Sequence, residues 1–487
     1  MEFMITPQKA AYVRGGEHAD KNFRDIPHRG NALELKTAAK DFTRRVLLTF
    51  DLSALLSRSF ARVFFRPAYS CITGADPMRC DLFGISDEWD PETVTWNTAP
   101  ALGAPLFTNG LVTEGVEMDV TDAIRRAVER GETALSFCVS INHACTGADR
   151  ADLDGEKTVL VVTDEAREAS LPAFLEDDPS LTETQRALLP YLPRNWQLRV
   201  KQTATNRNGR FLMTVQTDTH SFNREDTFYG NNAKAASVFL DADLTVNLGD
   251  IIRGYKYEED NTDNLRGCMD DLVRRYTEGN TAPVLMAIGN HDHNGMWCKL
   301  NEVDDLITKQ EHFDRVQKPL HAHNGAAMVT DGGNVCGDSL YSYIDFDRYH
   351  IRVILADSTD DGTKFNNFKV SERQLWWLEN VALKTDKHVI IMTHTPFFVE
   401  FPNAGNRVSG GDLVMAAVER FIAEGGHFIA YLYGHTHGQS EVMDVNGRRH
   451  MSFLNGGNNA EAVMIDIRER TVETVGFGGS LSRKVSY

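Results

Sequence analysis

The chain has 487 residues, 42% of them hydrophobic and 25% charged, an ordinary globular composition that at roughly 150 residues per domain predicts two or three domains. A net charge of -18 and a pI near 5.4 exclude a nucleic-acid scaffold or an anionic-membrane binder, both of which need a basic footprint. Seven cysteines, odd in number and without a CxxC pair, exclude a zinc ribbon and a dense disulfide framework.

The N-terminus "MEFMITPQKAAYVRGG" has no basic stretch leading into an apolar segment. No apolar run approaches the roughly 20 residues that cross a bilayer. The chain therefore reads as cytoplasmic, with an extracellular location as the alternative if a leader precedes it. Up to about Asp164 the pattern is one of short β-type runs broken by turn residues: "RRVLLTFDL", "ARVFFRP", "DLFGI", "TVTW", "TALSFCVSI" and "TVLVVTD". Many short strands at regular spacing predict an all-β sandwich. Within it "DVTDAIRRAVERG" predicts one helix, with Asp119 or Thr121 as cap and Gly131 beyond its end.

The segments "AYVRGG", "LELKTA", "RRVLLTFDLS", "DEWDPETVTWNTAP", "MDVTDAI" and "ALSFCVS" follow one another in the order of DNRLRE-type jelly-roll domains, which this half resembles. The most specific piece is W-D-x-x-T-V-T-W-N-x-x-P. Those domains are similar to carbohydrate-binding modules of bacterial surface and polysaccharide-degrading proteins, so the resemblance implies a jelly roll over residues 1–165 and polysaccharide as its partner. Trp89 and Trp96 are the candidate sugar-stacking rings, although an aromatic in a strand run more often packs in a core.

Residues 166–205 are acidic and proline-punctuated and read as a linker, with a packing helix in "LTETQRALLPYL". From about Phe211 apolar strands ("RFLMTVQ", "DLTVNLG", "APVLMAIG", "HIRVILAD", "HVIIMTH", "HFIAYLYG") alternate with helical stretches ("DNLRGCMDDLVRRYTEG", "SERQLWWLENVALK", "GDLVMAAVERFIAEGG"). This grammar implies an α/β sheet covered on both faces. The closing segments "MSFLNGG", "AVMIDIRE" and "TVETVGFG" predict consecutive antiparallel strands.

Polar residues recur where these strands end: Asp218 and His220 in "TDTH", Asp250 in "LGD", Asn290 and His291 in "GNHDHN", His394 in "MTHTP", His435 and His437 in "YGHTHG". In an open α/β sheet the loops beyond the carboxyl ends meet at one crevice. Core packing gives no reason for His or Asp after five of six strands. Within "GNHDHN" itself, His291 and His293 two residues apart are the first candidates to grip one ion.

The ordered set D-x-H, G-D, G-N-H-[DE], a strand-end His and G-H-x-H resembles the calcineurin-like metallophosphoesterase superfamily. The resemblance covers residues 206–487 and implies a C-terminal α/β fold, a β-sandwich flanked by helices. It implies that Asp218, His220 and His437 hold one metal, that Asn290, His394 and His435 hold a second, and that Asp250 bridges them. Two ions, Mn, Fe or Zn, suit that mixture of imidazole, carboxylate and amide better than Mg or Ca. His291 becomes the leaving-group acid, oriented by Asp292, and His293 a bystander. Asn290, His291 and Arg253 are the candidates for substrate contact.

"GDIIRG" lacks the tyrosine of purple acid phosphatases, and its arginine comes one residue earlier than in protein Ser/Thr phosphatases. The insertion from Gly295 to Gly337, with Trp297, His321 and His323, is expected to wall the pocket. Asp357 is expected to cap a turn, and Trp376 and Trp377 to pack. The expected activity is hydrolysis of a phosphomonoester or phosphodiester in a phosphorylated small molecule or glycan. The alternatives are a metallohydrolase of another bond and a catalytically inactive surface or adhesion protein, against which the intact ligand set speaks.

Overall fold

The computed structural model describes residues 2–23, 32–38, 42–74, 76–145, 149–171, 173–331, 339–359, 368–405 and 407–487. They form two compact units: residues 1–179 with 193–199, and residues 180–192 with 200–487. No described helix is long and apolar enough to cross a membrane.

The first unit is built of antiparallel strands. Five of them pair in the order Pro7–Arg14, Arg44–Asp51, Ala134–Ile141, Arg79–Ile85 and Pro105–Leu111. Smaller sheets of four and three strands complete it. The alternation of the sequence runs fills a core around Leu48, Phe50, Phe65 and Phe137, all fully buried. The Phe50 and Phe137 ring centroids lie 5.5 Å apart, within the range of favourable aromatic pairs. The expected helix is present as Thr121–Glu129. The Asp119 carboxylate accepts from the Thr121 amide at 2.9 Å, and Gly131 follows at φ 76°.

The "TVTW" run is not a strand but a series of turns. Asp90 competes for the backbone there: its carboxylate accepts from the Glu92 amide and its carbonyl from those of Thr93 and Val94, an alternative to ladder bonds that short Asp side chains favour. Trp89, 7% exposed, belongs to a small core with Val13, Leu47, Val94 and Cys138. Trp96 is half-buried, with the Arg45 guanidinium 4.5 Å from its ring. Neither ring is an open platform.

The second unit contains two mixed sheets, the sandwich that the family resemblance implied and that strand–helix alternation alone does not distinguish from one sheet. One runs Val284–Met286, Leu244–Asn247, Phe211–Gln216, Ala460–Asp466, Thr471–Phe477, Arg483–Ser486. The other runs Met328–Val329, Ser342–Phe346, Ile351–Leu355, His388–Thr393, His427–Tyr433, Arg449–Ser452, Glu441–Met443. The first three strands of the former pair in parallel, as do the central strands of the latter. Val215, Val246 and Val463 of one sheet share an apolar core with Val353, Ile390 and Leu432 of the other. The expected run of three antiparallel closing strands is corrected: Arg449–Ser452 pairs in parallel with His427–Tyr433, and only Ala460–Asp466 and Thr471–Phe477 pair antiparallel as a hairpin.

Helices Asn231–Leu240, Thr262–Thr277 and Gly411–Ala423 lie in this unit. The residues read as a linker contain a second helix, Arg194–Asn206, with no apolar stripe in its sequence to announce it. The unit boundary passes within it. Trp377 is buried as expected, but Trp376 is 61% exposed.

Glu117 shows how a buried charge is held in the first unit. Its carboxylate is fully buried and meets Arg66 at 2.6 Å and Arg167 at 2.5 Å, and it accepts from the Ser170 amide. Burial alone would raise its pKa, but Arg167, the Ser170 amide and Arg66 bring it from 4.5 down to about 2. A depressed pKa stabilises the fold above the unfolded value, and that contribution disappears as pH falls towards the folded one. Melting temperature should therefore fall between pH 4.5 and about 2. Glu117→Gln should lose about 2 kcal/mol at neutral pH, after allowance for screening at the half-exposed arginines, and flatten that acid limb. Thermal melts of both chains across this range make the check; parallel acid limbs would contradict the assignment.

Candidate metal centre

The strand-end residues converge at the carboxyl ends of the parallel strands of both sheets. Asp218, His220, Asp250 and His437 form one group whose ligand-type atoms lie within 4.8 Å of one another, and Asp250, His394 and His435 form another. Asp250 belongs to both. Asn290 joins the second group, its Oδ1 3.2 Å from His394 Nε2.

The backbone is bent to present these atoms. Asp218, His220, Asp250, His435 and His437 all have left-handed φ, between 47° and 64°, a conformation that costs a non-glycine residue about 1–3 kcal/mol unless its surroundings impose it. The surroundings do so through loop-to-loop hydrogen bonds. The Asp218 amide donates to the Gly249 carbonyl at 2.9 Å, that of His220 to the Asp250 carbonyl at 3.0 Å, and that of Gly434 to the His394 carbonyl at 3.0 Å. Two glycines leave the space: a Cβ on Gly289 would lie 2.1 Å from Asp250 Oδ1, and one on Gly434 2.1 Å from Thr217 Oγ1 and 3.0 Å from Asp218 Oδ2.

Hydrogen bonding fixes which atom each residue offers. His394 Nδ1 donates to the Leu248 carbonyl at 2.8 Å, so Nε2 is turned towards Asn290 Oδ1 and Asp250 Oδ2, the latter also at 3.2 Å. Asp218 Oδ2 accepts from the Thr217 hydroxyl and the His435 amide. Its Oδ1 is buried with no aligned donor, although His437 Nε2 is 3.3 Å away and His220 Nε2 3.9 Å. The two latter nitrogens lie 3.2 Å from each other. Imidazole and carboxylate atoms gathered this closely, His394 among them turned inward by a second bond, are a donor set that fits metal ions.

The electrostatics agree. Burial would raise the Asp250 carboxyl, but the His394, His291 and His220 rings keep it well below the usual range. Asp218 is likewise lowered against its burial, by His437 and His394. Burial would lower His394, yet Asp250 and Asp218 lift it to about 9. His435 is brought down to about 4 by burial and by His394. Two ionised carboxylates, both at most 1% exposed, are thus surrounded by imidazoles.

The rest of "GNHDHN" sorts itself by contacts. His291 is in neither ligand group among the described residues. Its Nδ1 lies 2.6 Å from the Arg253 carbonyl, and its Nε2 is 3.9 Å from Asp250 Oδ2. Asp292 does not orient it, which corrects the sequence expectation. The Asp292 carboxylate points inward, accepting from the Gly289 amide at 2.7 Å and the Ile252 amide at 3.1 Å, and burial and nearby Asp250 raise its pKa to about 8. It ties the two ligand loops together, and the orienting acceptor is a carbonyl that no side-chain motif announces. His293 is buried against His312, ring centroids 4.6 Å apart, so the two-histidine clamp is not formed.

Arg253, expected at the substrate, is also corrected. Its guanidinium is held by Asp260 at 2.7 Å and Glu259 at 3.1 Å and lies over Phe222 and Tyr257. In the insertion, part of which (332–337) lies outside the described residues along with Cys336, His323 Nε2 lies 2.9 Å from the Ala282 carbonyl, a structural contact. Asp357 accepts from the Thr359 amide, the expected turn cap, and also pairs with Lys309 at 2.5 Å.

Residues 2–172 match the model of carbohydrate-binding module family 96, and residues 212–439 match that of calcineurin-like phosphoesterases. Calcineurin-like phosphoesterases use a dinuclear metal centre. Among solved structures, a dimetal phosphatase from Danio rerio is 15% identical, with 57% of this chain and 99% of that one covered at a TM-score of 0.43. A 5'-nucleotidase from Candida albicans is 14% identical over 53% and 48% of the two chains, TM-score 0.29. A phosphopantetheinyl hydrolase from Mycobacterium tuberculosis is 16% identical over 51% and 91%, TM-score 0.28. No curated protein matches the chain.

Because Asp250 belongs to both ligand groups, Asp250→Asn should reduce bound metal from about two ions per chain to below one, whereas loss at one site alone would retain one. Metal analysis of protein purified with added Mn measures this; full occupancy in the variant would remove Asp250 from the centre.

Proposed function

We propose that this chain, which joins a carbohydrate-binding-module unit to a calcineurin-like phosphoesterase domain, is a dinuclear metal-dependent hydrolase of phosphoester bonds. Asp218, His220 and His437 would hold one ion, Asn290, His394 and His435 the other, with Asp250 between them. The observation that carries the reading is the Asp250 carboxylate, buried and shared by two groups of metal-ligating side chains. Imidazole, carboxylate and one amide oxygen suit Mn, Fe or Zn.

Two such cations lower the pKa of a shared water and neutralise charge growing on the phosphoryl oxygens. The side chains do the rest. Asp218 and Asp250 would supply the negative charge that retains the ions, and the hydrogen bond from His394 Nδ1 to the Leu248 carbonyl turns its Nε2 towards Asp250 and Asn290. His291 is 19% exposed beside this centre. With Nδ1 committed to the Arg253 carbonyl, Nε2 is the atom left to hand a proton to the departing oxygen. The substrate class is a phosphorylated small molecule or glycan, and the N-terminal unit is read as a polysaccharide module by its family alone, since Trp89 and Trp96 offer no open ring.

A panel of phosphomonoesters, phosphodiesters and amides with Mn tests the reaction class; cleavage of amides but of no phosphoester would overturn it. His291→Ala should keep about two ions per chain while lowering kcat about 10²–10³-fold, more for alkyl than for nitrophenyl esters, because a poor leaving group depends most on protonation. Metal loss in this variant would instead make His291 a ligand.

A further inference from the structure

Beside His291 lies a group of exposed aromatic rings that the centre itself does not use. Phe222 is 38% exposed, Tyr255 36% and Tyr257 48%. They arise from the loops that follow the D-x-H and G-D motifs, so their position is tied to the ligands by covalent proximity. The Arg253 guanidinium lies 3.7 Å from the Phe222 ring centroid and 4.4 Å from that of Tyr257, occupying both. Tyr255 lies beside the acid, its ring centroid 5.9 Å from that of His291 and tilted by 40°.

This loop is rigidly built. Asp260, fully buried, accepts from the Tyr255 and Tyr257 amides at 3.0 and 3.3 Å and from Arg253 Nε at 2.7 Å. Gly254 has φ 47°, and a Cβ there would lie 2.1 Å from the His291 carbonyl oxygen, so the loop passes directly against the backbone that carries His291. A flat ring fixed next to the leaving-group acid is what an aromatic group on the departing alcohol would stack on.

We infer that Tyr255 is a specificity-determining residue that stacks on a planar aromatic ring in the leaving group, so that the preferred substrates are phosphoesters of ring-bearing alcohols such as nucleosides. The inference rests on the phosphoesterase reading above. The Lys256 ammonium lies on the same loop, 5.6 Å from the Tyr255 ring centroid and 5.9 Å from that of Tyr257.

The test compares esters of matched leaving-group pKa. For the metal-loaded chain, kcat/KM is measured with adenosine 5'-monophosphate, glucose 6-phosphate and glycerol 3-phosphate, and with the methyl diesters of the same three. The wild-type chain should prefer the adenosine ester to the glycerol ester about tenfold or more, through KM. Tyr255→Ala should reduce that ratio about tenfold with metal content intact, and Tyr255→Phe should restore it. Failure of the wild type to cleave any of these esters overturns the phosphoesterase reading. Cleavage with an adenosine-to-glycerol ratio that Tyr255→Ala leaves within twofold overturns the stacking assignment alone. So does an equal loss for glucose and adenosine esters, which would assign the ring to sugars.

Discussion

Two carboxylates, Asp218 and Asp250, lie at the carboxyl ends of the parallel strands with at most 1% of their surface exposed. An isolated buried carboxylate is untenable in a protein interior, and the features around this pair answer that constraint. Imidazoles from three further strand ends turn ring nitrogens towards them. Those nitrogens are themselves directed by second bonds, as His394 is by Leu248. Five left-handed residues and the missing Cβ atoms of Gly289 and Gly434 bring the loops close enough for the charges to share partners. Strain of this kind persists only where packing and hydrogen bonds dictate it, and here the two-sheet core beneath the loops supplies both.

The convergence of these side chains is legible in the sequence because each of them follows an apolar strand run directly. The strands could be counted, and their polar ends lined up in order. What could not be read was which side of a motif faces the centre. "GNHDHN" has four candidate side chains within four positions, and the division among them depends on backbone partners remote in sequence. Asp292 is taken by the amides of Gly289 and Ile252, His293 by a pocket against His312, and His291 by a carbonyl of the neighbouring loop. Main-chain acceptors such as Leu248 and Arg253 leave no trace in residue type.

Fold-level misreadings have the same origin. Strand–helix alternation reports that a sheet is covered on both faces but not how many sheets there are, because six parallel-type runs in one sheet and three in each of two give the same periodicity. Sequence order puts Arg449–Ser452 with the strands that follow it, yet it pairs with His427–Tyr433, a non-local choice. In the first unit "TVTW" has strand-forming residues but sits three residues after Asp90, whose side chain and carbonyl capture the local amides. Helix Arg194–Asn206 lacks both an apolar stripe and a side-chain cap signal, so nothing local marked it.

Arg253 illustrates how position and role separate. Its side chain, the obvious candidate for a phosphate, is committed to Asp260, Glu259 and two aromatic rings, while its carbonyl receives His291. The same residue therefore braces the aromatic loop and orients the histidine that the metal groups exclude. Since Asp260 fixes the amides on either side of Lys256, the loop and the imidazole form one rigid arrangement. A group bound against Tyr255 would lie beside His291, so a binding contact remote from phosphorus would bear on the leaving oxygen.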